Sequence, residues 1–84
     1  MIVNKIMTIN NYGRVRLKLK ELLDQRGLNR NSLAQAIGSR FEVADKWYSG
    51  EVEKLDLDIL ARICCVLNCS VEDLLVYEGP EETN

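Results

Sequence analysis

Three cysteines and no histidine set the first limit on the chemistry open to this chain of 84 residues. Without an imidazole, the commonest general base and metal ligand is missing. Cys64, Cys65 and Cys69 fall in one apolar stretch, the first two adjacent. Structural zinc takes four ligands, commonly with paired C-x2-C spacing, and these three thiols supply neither the number nor the pattern. An odd cysteine count without a secretion signal does not read as a disulfide framework. The thiols therefore read as small apolar side chains of a reduced core. Redox sensing and an interchain bridge are the alternatives. No catalytic residue, metal ligand or cofactor site is expected, and the chain does not read as an enzyme.

The charged residues are more informative. The net charge is −2, which at first sight disfavours an anionic partner. Residues 1–40, however, carry eight bases (Lys5, Arg14, Arg16, Lys18, Lys20, Arg26, Arg30, Arg40) against Glu21 and Asp24, a net of +6. Residues 41–84 carry Lys46, Lys54 and Arg62 against eleven acids, a net of −8. Such polarisation predicts a basic partner face and an acidic remote face. The alternative is that the two sets interleave in space and serve solubility alone.

Some scaffold must position these groups. Apolar residues make up 46% and charged residues 29%, enough for one small domain with a single core. No apolar run approaches the roughly 20 residues that span a bilayer. Residues 1–10 hold one lysine and no long apolar stretch, so they are not read as a signal peptide. A cytoplasmic protein without membrane contact is expected. Residues 1–13 read as an N-terminal arm, either loose or an added strand, ending in the turn signal Asn10-Asn11-Tyr12-Gly13. Residues 14–78 form the domain, and 79–84 an acidic tail.

Within the domain the hydrophobic period changes from two to helical. Val15, Leu17 and Leu19 alternate with bases, a short strand pattern, and then Leu19, Leu22, Leu23 and Arg26 follow helical spacing up to Gly27. Asn29 is placed to cap a two-turn helix through Leu33, Ala34 and Ile37, ended by Gly38. So short a helix is not stable alone and must pack on neighbours. A third helix is expected over 41–48, its inner face formed by Val43 or Ala44 with Trp47 and Tyr48. A fourth, capped by Asp56 and running to Asn68, places Leu57, Leu60, Ile63, Cys64 and Leu67 on one stripe. Ser70 and Asp73 suggest a capping box for a last short helix, and Val76-Tyr77 is β-prone.

Two helices of this size joined by a short turn are the layout of helix-turn-helix readers of DNA. The stretch Gly27-Leu28-Asn29-Arg30-Asn31-Ser32-Leu33-Ala34-Gln35-Ala36-Ile37-Gly38, then nine residues, then Tyr48-Ser49-Gly50 resembles the small Cro/repressor-type (XRE-like) transcriptional regulators. Downstream, Ile63-Cys64-x-x-Leu67-x-Cys69 followed by Asp73-Leu74-Leu75-x-Tyr77 resembles the core of a short single-domain subset of that class. The resemblance spans about residues 14–78. It implies a mainly all-α, five-helix, lambda-repressor-like domain, with a short β-ribbon where the N- and C-terminal segments pair. Leu33, Ile37, Trp47, Leu60, Ile63 and Leu67 would share its core. Cys64 and Cys69 become packing residues under this resemblance, while Cys65 lies outside its pattern.

The same resemblance points to helix 41–48 as the element that enters the major groove. Arg30 replaces the usual glutamine at the start of the first helix of the pair, where a guanidinium suits phosphate. Arg40 could read guanine or grip phosphate, and Phe41 could touch a thymine methyl or instead plug the core. Glu42 and Asp45 repel phosphate unless they accept from a cytosine amino group. Ser39 and Lys46 join this set, and Lys54 follows the helix where such regulators hold the backbone. Leu75, Val76 and Tyr77 are the candidate homodimer contact, pairing with Val15–Leu17 within one chain or across two. The implied function is sequence-specific transcriptional regulation on double-stranded DNA. The alternative is a protein-interaction module on the same fold, antitoxin-like or anti-repressor, with a protein partner.

Overall fold

The computed structural model describes residues 11–80. Residues 1–10, most of the expected arm, and residues 81–84 of the expected tail lie outside the described residues. The described elements run β1 (Arg14–Leu17), α1 (Leu19–Gln25), α2 (Arg30–Ile37), α3 (Phe41–Ser49), α4 (Leu57–Leu67), α5 (Val71–Leu74) and β2 (Leu75–Glu78). Five short helices pack on one another, and the two ends of the domain close as an antiparallel ribbon. Its register is Arg14↔Glu78, Val15↔Tyr77, Arg16↔Val76 and Leu17↔Leu75. Of the two pairings left open by the sequence, the described one lies within a single chain.

The helix boundaries have local causes. The Asn29 side chain accepts from the Ser32 N–H at 2.9 Å, and Asp56 accepts from the N–H groups of Asp58 and Ile59 at 3.0 and 3.2 Å. Each satisfies a donor that the first helical turn leaves without a partner. The Ser70 N–H donates to Asp73 Oδ2 at 2.9 Å, which starts α5 and holds the Asp73 carboxyl below its ordinary range, through that backbone bond and the Ser70 hydroxyl. Gly38 ends α2 with a φ of 69°, a left-handed conformation that a side chain would strain. Gly13 is more constrained: a Cβ there would lie 2.2 Å from the Glu78 carbonyl oxygen, so the chain enters the ribbon only with glycine at that point.

One core joins all the helices. Leu19, Leu23, Leu33, Ala34, Ile37, Ala44, Trp47, Leu60, Ile63, Leu67 and Leu74 are buried, and every core residue expected from the resemblance is among them. No polar or charged described residue is buried with them. Ala34 and Ala44 let α2 and α3 approach closely, and Trp47 buries its ring in the same cluster.

The stripe expected on α4 needs two corrections. Leu57 is 72% exposed because side chains lean toward a helix's N-terminus, so the first residue of α4 points past the helix end. Cys64 and Cys69 are half-buried and pack on the core margin, whereas Cys65 is exposed. Burial pushes the Cys69 thiol up in pKa.

Candidate nucleic-acid interface

The pair α2–α3 turns over the sequence Gly38-Ser39-Arg40 and leaves one side of α3 in solvent. Position 45 lies four residues after 41 and 48 seven, so Phe41, Asp45 and Tyr48 make one stripe along α3. Glu42, Lys46 and Ser49 make the adjacent stripe, and all three are exposed. Phe41 is 43% exposed, which rejects the reading of it as a core plug. Ser39 Oγ donates to the Arg40 carbonyl at 3.0 Å, within the turn that leads into α3.

The first stripe faces the start of α2 and closes around Arg30. Arg30 Nη1 donates to Asp45 Oδ1 at 2.7 Å. Its guanidinium carbon lies 5.9 Å from the Phe41 ring centre and 5.2 Å from that of Tyr48, close enough for cation–π attraction. Tyr48 in turn donates through its hydroxyl to Asp24 Oδ1 at 2.9 Å, and Asp24 also holds Lys20 at 3.1 Å. Lys20, with Tyr48 second, draws the Asp24 carboxyl below its ordinary range. A polar chain thus runs from α1 through Tyr48 to the α2–α3 unit. The sequence reading missed Tyr48 as an organiser because helical spacing marks it only as inward-facing. Its hydroxyl partner lies 24 residues away.

The cations divide into committed and uncommitted groups. Arg14 and Arg16 both bind Glu78, at 2.9 and 3.0 Å, and Arg16 also binds Glu21. Arg62 pairs with Asp58 and donates to the Ile37 carbonyl at 2.9 Å, while Arg26 donates to the Leu67 carbonyl. These last two arginines satisfy carbonyls at the ends of α2 and α4, where a cation also suits the helix dipole. Among the cations of the described residues, only the side chains of Lys18, Arg40, Lys46 and Lys54 take part in no ion pair or hydrogen bond. Three of these four border α3: Arg40 is its N-cap residue, Lys46 lies in its last turn, and Lys54 follows it. Lys46 and Lys54 line one open groove with Trp47, Gly50 and Val52.

The expected charge separation is therefore only partly realised. Arg14, Arg16 and Arg30 each bind an acid from the C-terminal half, so the two sets interleave on the ribbon and at α2. Among the described residues no group of three or more His, Cys, Asp or Glu is placed to hold a metal ion. Among the described residues no helix is long and apolar enough to cross a membrane. Leu75, Val76 and Tyr77 sit on β2, with Tyr77 62% exposed opposite the exposed Val15.

Comparison with known proteins places this geometry. A family model described as the Cro/C1-type helix-turn-helix DNA-binding domain matches residues 18–80. A solved structure titled transcriptional regulator VanUg is 25% identical, with a TM-score of 0.65, covering 93% of this chain and all of that one. A candidate DNA-binding protein from Bacteroides fragilis is 21% identical, also with a TM-score of 0.65, covering 75% of this chain and all of that one. The latter likeness is one of fold alone. No curated protein matches the chain.

Proposed function

The chain belongs to the Cro/C1-type helix-turn-helix DNA-binding domain family, and from that membership we propose that it is a sequence-specific transcriptional regulator that reads operator DNA with α3. The observation that carries the reading is the set of uncommitted cations around α3: Arg40, Lys46 and Lys54. Phosphate contacts from lysine and arginine give affinity and register. Base-edge contacts at the exposed positions of the same helix then give specificity. Arg40, Phe41, Glu42 and Lys46 are the proposed reading residues. Ser39, Arg30 and Lys54 shape the approach of the backbone, and Asp45, beside Arg30, meets a base edge.

A single unit of this size reads too few base pairs for an operator, so the proposal includes a homodimer on DNA. Two copies would set their reading helices about 34 Å apart on a pseudo-palindrome. Because Leu75, Val76 and Tyr77 already pair with β1 in their own chain, the contact between copies would use the outer face of the ribbon, Val15 with Tyr77. Sedimentation equilibrium measures this association in the free protein.

The rival reading, a protein-binding module, draws on Glu51 and Glu53, which line the same groove, and on the exposed Glu42 of α3. Selection of duplexes from a random pool, followed by a salt titration of the selected sequence, decides between them. DNA binding predicts a selected consensus, with affinity that falls as a power of salt by about 0.9 for each phosphate contacted. A pool that yields no consensus, with no salt-dependent binding, would overturn the DNA-binding reading.

A further inference from the structure

Arg30 occupies the first position of α2, where the positive end of the helix dipole disfavours a cation. It is nevertheless held on three sides, all by α3: Asp45 at 2.7 Å and the rings of Phe41 and Tyr48. The pair is not sealed in the core. The Arg30 and Asp45 side chains are 47% and 41% exposed, so either can change partner without unfolding anything. One guanidinium nitrogen is engaged, and the remaining N–H groups of its five-donor fork point elsewhere.

These two residues meet different parts of a duplex. In a helix-turn-helix unit the first helix crosses the phosphate backbone while the second lies in the major groove. Arg30 on α2 is then the backbone-side member and Asp45 on α3 the base-side member. We propose, on the DNA-binding reading above, that the Arg30–Asp45 pair is a specificity gate that couples base identity to phosphate grip. Opposite a cytosine, Asp45 accepts from the exocyclic amino group, and the Arg30 nitrogen it releases donates to a phosphate oxygen. Two charge-assisted bonds replace the internal one: Arg30 now neutralises a phosphate, and the Asp45 carboxylate keeps a donor in the neutral cytosine amino group. Opposite the acceptor edges of guanine or thymine Asp45 has no donor to accept from, and opposite adenine the N7 acceptor beside the amino group repels the carboxylate. It keeps Arg30, and its carboxylate stays unneutralised toward the backbone. Phe41 and Tyr48 are positioning residues in this scheme, since their rings hold the guanidinium in place through the exchange.

The gate makes Asp45 a residue that lowers binding to the wrong sequence. Asp45→Asn preserves shape and removes the charge, which frees Arg30 for phosphate on any duplex. Measured on the selected operator, on operators with each base pair changed singly, and on random duplex, Asp45→Asn is expected to tighten random-duplex binding by about tenfold. It is also expected to erase the preference at one cytosine position and to steepen the salt slope on random duplex by about one phosphate contact. Arg30→Ala in the Asp45→Asn background should remove both gains. Unchanged random-duplex affinity and an unchanged base preference in Asp45→Asn would overturn the gate. If Arg40→Ala still weakens binding in that case, the DNA-binding reading survives without it. A wild-type chain that binds no duplex at low salt would overturn both.

Discussion

Arginine does opposite things at the two ends of this small fold. On the ribbon, at the end of α1 and on α4, Arg14, Arg16, Arg26 and Arg62 are bound to Glu78, Glu21, Asp58 or helix-end carbonyls. At the edge of α3, Arg40, Lys46 and Lys54 have no acidic partner among the described residues. Composition counts these groups alike, but among the described residues those near α3, with Lys18, are the cations left without an internal partner. A basic surface is therefore defined by cations without internal partners, not by the number of bases in a stretch. Arg30 stands between the two groups, bound to Asp45 yet half-exposed, and this intermediate state is what allows an exchange of partners.

Both regions depend on one core, so the change that erases the contrast altogether is a core truncation. Ile63 is fully buried in α4, packed in the cluster that unites α2, α3 and α4. Ile63→Ala should cost about 2–5 kcal/mol of stability. In so small a domain that is a large share of the total. Chemical denaturation should show the loss as a lower midpoint at unchanged slope.

The contrast itself is tested by a double dissociation. Arg40→Ala and Lys46→Ala should each weaken specific duplex binding by about 1–3 kcal/mol, with thermal midpoints close to wild type. Arg26→Ala should do the reverse: about 1 kcal/mol of stability lost as α4 forfeits a carbonyl partner and a favourable dipole interaction, and no change in the salt slope of binding. Fluorescence titration at two salt concentrations and a melting curve on each variant suffice. If Arg26→Ala flattened the salt slope, or if Arg40→Ala left affinity intact, the cations would not divide into committed and free groups.

The sequence revealed the scaffold more fully than the site. Leu33, Ile37, Trp47, Leu60, Ile63 and Leu67 all lie in the core as expected, because helical spacing reports which side chains share a face. The caps at Asn29 and Asp56 were equally legible, since a cap is a contact between residues two or three apart. Leu57 misled because periodicity ignores the lean of side chains at a helix end. The commitments of Arg14, Arg26 and Arg30 were invisible, for their partners lie 64, 41 and 15 residues away. Spacing within one helix carries no information about such pairs. What distinguishes Arg40 from Arg14 is tertiary, and so the candidate site emerges only once the ribbon has closed.

The smallest effect expected is the pH response of the committed end. Glu78 accepts from Arg14 and Arg16. Arg14 first, and then Arg16, lowers its pKa below the ordinary carboxylate value. A carboxylate whose pKa is lowered on folding contributes stability above its unfolded value, about 4.3 for glutamate, and that contribution fades as pH falls through the lower folded value. Glu78→Gln should therefore melt slightly below wild type at pH 7, and the difference should close as both are titrated toward pH 2. The groups are exposed, so solvent and salt screen the interaction and keep the shift small. Added salt should narrow the difference at pH 7 in the same way. A gap that persisted unchanged at low pH would mean that Glu78 supports the ribbon by packing and neutral hydrogen bonding. Arg14 and Arg16 would then be less firmly committed than their geometry indicates, and the ribbon would have to be counted among the surfaces able to meet phosphate.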